Sequence, residues 1–224
     1  MEKSRTIFIW DVQWCFDELK LLIAKLKLKK ADKVYFVWDL INKWPKSYKV
    51  LKYMYKNKHR FYCVKWNHEL NFLRWLKWDS YKNDETFKNI KKKVEKNNTH
   101  YLIKYLQELP LFIEEKDFLL LHWWLIPNKS VSELTEDEIT RTRDYKWKPW
   151  YKHYKWEKKI IYWHWAEDSL QINKKTKWLD SWCVYWKALT AYILETDEVI
   201  QQNALDIYIN VYKKSWNILR RIFN

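Results

Sequence analysis

The sequence has no glycine in 224 residues, where ordinary usage of roughly 7% would supply on the order of 16. Glycine is the residue that enters the φ > 0 region without steric cost, so tight turns and close backbone approaches lack their usual occupant. Long apolar runs are missing as well: nothing approaches the roughly 18–20 residues of a membrane-spanning helix, and no membrane association is expected. Cysteine is scarce. Cys15, Cys63 and Cys183 are odd in number and widely spaced, which excludes a disulfide framework and suits a reducing compartment. Cys15 and Cys183 read as small buried hydrophobes. The opening stretch MEKSRTIFIWD passes into a strand pattern without the apolar core and cleavage site of a secretion signal. A cytoplasmic location is therefore expected.

What is abundant is tryptophan, with 18 copies, and many sit where glycine chemistry is demanded. Trp10 and Trp14 flank Asp11, Trp38 precedes Asp39, Trp44 precedes Pro45 and Trp66 precedes Asn67. Trp123 and Trp124 follow His122, and Trp163 precedes His164. We expect most of these to stand for glycine, as they would if a UGA codon reassigned to glycine had been translated as tryptophan. A truly tryptophan-rich protein is the alternative. Trp75, Trp150, Trp165 and Trp216 sit where an aromatic side chain makes sense. The net charge of +15 comes almost wholly from lysine, spread along helical segments rather than in one block. Such lysines read as solvated faces, although a field of this sign would also draw in a polyphosphate or nucleotide.

Periodicity predicts alternating elements: strand 5–10, helix 15–28, strand 33–38, helix 45–56 opened by Pro45, strand 60–65 and helix 69–77. Alternation of this kind implies an α/β domain with a largely parallel sheet. Residues 79–108 read as a helical insert or cap beside the site, followed by strand 118–121 and a loop-rich segment over 126–158. Strands 159–163 and 183–194 read as a second sheet. One domain is expected over 1–195, and a basic amphipathic helix over 196–224 with Leu205, Ile209, Tyr212, Trp216 and Leu219 along one face.

Five strand-like runs stop at a side chain able to bind metal: TIFIW at Asp11, KVYFVW at Asp39, RFYCV shortly before Asn67 and His68, FLLL at His122 and KIIYW at His164. In an open α/β sheet, ligands bind outside the carboxyl ends of the strands, where these five would meet. Two Asp, one Asn and two His make a mixed oxygen and nitrogen donor set suited to Mn, Fe, Zn or Co. Asp39, central in the order, is the natural bridge between two ions. Two ions about 3.5–4 Å apart can hold a hydroxide and clamp the attacking and leaving oxygens of an in-line phosphoryl displacement. His68 would then protonate the departing oxygen, and Lys43, Arg141 and Arg143 are candidates to bind phosphate. Singly, each residue has a plain structural reading, an Asp as a cap or a His as a core side chain. The set of five is what argues for a metal site.

With these tryptophans read as glycine, residues 10–15 become GDVQGC, 38–45 GDLINKGP, 66–69 GNHE, 122–127 HGGLIP and 163–166 GHWA. The series resembles the calcineurin-like metallophosphoesterases of the phosphoprotein-phosphatase type. Within that family it is most similar to the symmetrical bis(5'-nucleosyl)-tetraphosphatases. GDVQGCFDEL, ITRTR at 139–143, KPW at 148–150 and GLDSGCVYGKALTA at 178–191 carry that narrower resemblance, which spans residues 5 to about 194.

The resemblance implies an αββα fold, two mixed β-sheets sandwiched between helices. It implies a binuclear site with Asp11, Gln13 and Asp39 at one ion and Asp39, Asn67, His122 and His164 at the other. His68 would be the general acid, and Lys43 with Arg141 or Arg143 would be phosphate ligands. The implied cofactors are two divalent metal ions, manganese favoured. Gln13 stands where many relatives carry a metal-binding His, Asn42 replaces an Asp of the protein phosphatases, and Lys43 replaces an Arg, exchanging a two-pronged donor for a point charge.

The expected enzyme is a hydrolase cutting diadenosine tetraphosphate symmetrically to two ADP, by attack of a metal-bound hydroxide. Its expected partner is a dinucleoside polyphosphate substrate, with no obligate protein partner. A serine/threonine protein phosphatase or other phosphomonoesterase is the alternative, and a hydrolase of nucleoside-tetraphosphate RNA 5' ends is a third reading. A non-enzymatic nucleic-acid binder, stacking bases on tryptophan, requires the tryptophans to be real.

Overall fold

The computed structural model describes residues 4–10, 12, 15–37, 40–41, 46–78, 85–121, 129–141, 158–161, 171–172, 176–178, 183 and 187–207. Strand β1 (Thr6–Trp10), helix α1 (Phe16–Leu26), strand β2 (Lys33–Val37), helix α2 (Ser47–Lys56), strand β3 (Phe61–Cys63) and helix α3 (Asn67–Trp78) follow one another. This is the alternation that the periodicity predicts. Helices α4 (Glu85–Lys96) and α5 (Tyr101–Glu108) come next, then strands β4 (Phe112–Glu114) and β5 (Phe118–Leu121). A single 3-10 turn (Val131–Glu133), helix α6 (Glu136–Arg141), and strands β6 (Lys159–Ile161), β7 (Gln171–Ile172), β8 (Thr176–Trp178), β9 (Ala188–Ile193) and β10 (Glu198–Asn203) complete the order.

The strands form two mixed sheets, ordered β10-β9-β1-β2-β3 and β4-β5-β6-β8-β7. In the first sheet β1, β2 and β3 run parallel, while β9 lies antiparallel to β1. In the second, β5, β6 and β8 run parallel. Alternate residues of the first sheet face opposite ways, as strand geometry requires. Ile7, Ile9, Val34, Phe36, Leu189 and Ala191 pack with α1 to α5 in one core. Phe8, Trp10, Tyr35, Val37 and Tyr192 pack with Phe118, Leu120 and Ile161 of the second sheet in the other. Burial on both faces explains why β1 and β2 read as continuous apolar runs rather than as alternating ones. Aromatic edges knit the inter-sheet core: the Phe118 ring stands 4.9 Å from both Phe8 and Tyr35, edge-on to each.

Two expectations are corrected. Strand β9 pairs with β1 and not with β6, so Ala188–Ile193, within the run expected in the second sheet, belongs to the first. Residues 198–203 form β10 on β9, where a helix from 196 is expected. The hairpin turn between them carries Asp197 at φ 53, and pairing with β9 decides the strand. Helices α4 and α5 share the core of α2, α3 and the first sheet through Phe87, Ile90, Val94, Leu102 and Leu106. Residues 208–224 lie outside the described residues.

Candidate metal and phosphate site

The site is built from strand ends, and the register shows where those ends lie. Trp10, the last residue of β1, is paired with Val37, the last of β2; in the sequence Asp11 comes one residue after the first and Asp39 two after the second. Cys63, which ends β3, is paired with Phe36. In the facing sheet Leu120 is paired with Ile161; β5 ends at Leu121 and β6 at Ile161, so His122 follows one directly and His164 comes three residues after the other.

The opposite end of the sandwich fixes the polarity. Thr6, Lys33, Asp117, Phe118, Lys158 and Lys159, at the beginnings of β1, β2, β5 and β6, line one open cleft of about 950 Å³. All four strands therefore start at that end and finish at the other. Trp10, Val37, Val64, Trp66, Leu120 and Ile161 share the core between the sheets. The described parts of these strands therefore end on one side of the sandwich.

Asn67 and His68 are the first two residues of α3 and are half-buried. Helix start and side-chain position are set by the preceding residue: Trp66 offers its carbonyl to Leu70 N at 3.0 Å. The Glu69 carboxylate reaches back to Trp66 N at 3.1 Å, one half of a capping box. Its other oxygen accepts Ile41 N at 2.8 Å, and Glu69 is fully buried. One carboxylate thus ties the segment just after Asp39 to the residues just before Asn67. The sequence reading passed over this role. The signal available was an acid three residues into a helix, without the Ser or Thr that usually marks its cap.

Arg141 is the last residue of α6. That helix is held against α3 by Arg74, whose guanidinium donates to Glu136 at 2.8 Å and to Asp137 at 3.2 Å. Burial works against the Arg74 charge, but these two carboxylates prevail and raise its pKa. Beneath the site, burial pushes the Cys63 thiol up to about 12, although the Tyr105 hydroxyl 3.5 Å away lowers it. This buried thiol is inert and offers no nucleophile. Asp11, Gln13, Asp39, Lys43, His122, Arg143 and His164 lie outside the described residues, as does the side chain of Arg141.

Trp10 and Trp66 are fully buried at the two strand exits, one residue before Asp11 and Asn67. The Trp10 indole N–H is enclosed with no hydrogen-bond partner among the described residues, and such a group costs about 1–3 kcal/mol. Positive φ occurs among the described residues at Lys27, Asn98 and Asp197, and at no tryptophan. At these two positions close packing, and not φ, is therefore what a glycine would serve. Trp75 packs on Phe72 and Phe87, with ring centroids 6.2 and 5.9 Å away, as expected of a genuine aromatic. No described helix is long and apolar enough to cross a membrane.

No family model matches the chain. In sequence it is 29% identical over 135 residues to the symmetrical bis(5'-nucleosyl)-tetraphosphatase of Pseudomonas putida (strain W619), covering 58% of this chain and 46% of that protein. The enzyme of the same name from Wigglesworthia glossinidia brevipalpis is 28% identical over 158 residues, 69% of this chain and 56% of the relative. The chain spans about half the length of the curated relatives it matches.

In structure it superposes with a TM-score of 0.71 on a solved protein provisionally assigned as a diadenosine tetraphosphatase, at 23% identity, covering 91% of this chain and 95% of that one. A metallophosphoesterase from Sphaerobacter thermophilus gives 0.56 at 9% identity over 91% of this chain and 89% of that one. The chain thus has the calcineurin-like metallophosphoesterase fold, and in sequence it is similar to the symmetrical bis(5'-nucleosyl)-tetraphosphatases.

Proposed function

We propose that this protein is a metal-dependent phosphoanhydride hydrolase that cuts diadenosine tetraphosphate symmetrically into two ADP. The observation that carries the reading is the common exit of β1, β2, β3, β5 and β6, each followed within six residues by a side chain able to bind metal. The names of the relatives from Pseudomonas and Wigglesworthia support the substrate class. Asp11, Gln13, Asp39, Asn67, His122 and His164 would hold two divalent ions, manganese favoured, and these oxygen and nitrogen donors fit such ions. When bound, the ions supply an activated water and neutralise charge on the phosphoryl oxygens.

The chain's own groups do the rest. Lys43, Arg141 and Arg143 hold the outer phosphate oxygens and set the central bridge in line. Water adds to one of the two inner phosphorus atoms as the bridging P–O bond breaks, and His68 gives its proton to the departing ADP oxygen. Asn67 and His68 occupy the first turn of α3, so that acid would act from a rigid element. The helix N-terminus adds favourable field for phosphate.

Product analysis with Mn and diadenosine tetraphosphate tests this, with Asp39→Ala as control. Two ADP per substrate, lost in the control, is the expected result. AMP plus ATP would mean an asymmetric cut. Turnover confined to a phosphopeptide, or to a nucleoside-tetraphosphate RNA end, would replace the substrate assignment.

A further inference from the structure

The sulfurs of Cys15 and Cys183 and a carboxylate oxygen of Glu18 lie within 4.8 Å of one another, and all three residues are fully buried. Cys15 occupies the N-cap position of α1, and Glu18 lies in its first turn. Cys183 arrives from the segment before β9, and the Glu18 carboxylate also accepts Leu205 N at 2.9 Å, just past β10. Three distant parts of the chain therefore converge on one point, in a core otherwise lined by Leu19, Leu22, Leu189 and Ala191.

A carboxylate in such surroundings is costly unless its charge is compensated. A divalent cation offsets that cost and also takes sulfur. Two thiolates and a carboxylate are donors typical of zinc. Donors bound at about 2.0–2.3 Å in a tetrahedral site stand roughly 3.5–3.8 Å apart, so groups already within 4.8 Å close on an ion by small rotamer shifts. The three residues offer three donor atoms, and a water completes the site. The negative charge it leaves lies at the N-terminus of an 11-residue helix, which favours it.

We propose that Cys15, Glu18 and Cys183 bind one zinc-class ion, a sulfur-containing structural site additional to the oxygen and nitrogen site at the strand exits. It staples the start of α1 to the entry of β9 and the exit of β10, and so steadies the connection from β1 to α1 that carries Asp11 and Gln13. The proposal does not depend on which phosphate ester the protein cleaves.

Sulfur is the discriminator, because none of the donors proposed for the catalytic ions is a cysteine. The purified full chain, loaded with cobalt(II), should show thiolate-to-cobalt charge-transfer absorption in the near ultraviolet. That band should persist in Asp39→Ala and vanish in Cys183→Ser. Should Cys183→Ser fail to fold, X-ray absorption of the zinc-loaded wild-type chain decides: a sulfur shell at about 2.3 Å is expected. A spectrum with oxygen and nitrogen neighbours only would overturn the site, as would absence of the cobalt band. A Cys15–Cys183 disulfide in protein kept under reducing conditions would overturn it too.

Discussion

At the scale of single residues, Glu69 carries more than its place in the sequence suggests. It is fully buried, and it accepts one N–H from each of two segments that the proposed metal ligands sit on. Bonds to a charged acceptor contribute about 1.5–3 kcal/mol each. Removing both with Glu69→Ala should lower stability by about 3–5 kcal/mol once the buried N–H groups are left unmet. Denaturant melts measure this directly. Glu69→Gln keeps one acceptor oxygen and should recover part of the loss; equal melts for the two variants would show that the carboxylate bonds are not what matters. A rise in KM for manganese with the protein still folded would further separate a role in positioning ligands from simple stability.

At the scale of elements, β1 and β2 are fastened at their starts by Arg5 and Asp32, far from the strand exits. The Asp32 carboxylate accepts Arg5 N at 3.0 Å and Lys29 N at 2.8 Å, and the Arg5 guanidinium at 2.6 and 3.1 Å. Burial alone would raise the Asp32 pKa, but the Arg5 and backbone bonds prevail and lower it. A carboxyl with a folded pKa below its unfolded value stabilises above the unfolded value and loses that contribution as pH falls through the folded one. Acid melts should therefore show stability falling below about pH 4 in the wild type, with a flatter profile in Asp32→Asn. Without the carboxylate the Arg5 guanidinium keeps only the Leu26 and Lys27 carbonyls, and Asp32→Ala should cost about 1–3 kcal/mol; no measurable loss would sink this account.

Elements were readable where local pattern and tertiary context agree, as in β1, α1, β2, α2 and α3. They were misread where pairing overrides pattern. The run EVIQQN has no apolar alternation, and only the neighbouring β9 makes it a strand. Conversely, α4 shows plain helical periodicity, yet nothing local says that Phe87, Ile90 and Val94 belong to the core under the first sheet.

At the scale of the whole molecule the tryptophan question decides what the protein is made of. Peptide masses of protein from its native source should fall below those of the tryptophan-containing sequence by whole multiples of the Trp-to-Gly difference; masses equal to those of the tryptophan form would establish a tryptophan-rich protein. The proposed donors, their order, and their position after apolar runs are all present in the sequence, because strand length and side-chain chemistry are local properties. So was the resemblance to a family, since it rests on short motifs. What only the tertiary structure decided is that two sheets stack with their parallel strands pointing the same way. It also decided that β9 and β10 join the first sheet, that Glu69 reaches across to Ile41, and that Cys15, Glu18 and Cys183 meet in one core. Those contacts join residues distant along the chain, and their energy comes from burial and pairing that exist only once the sheets have closed.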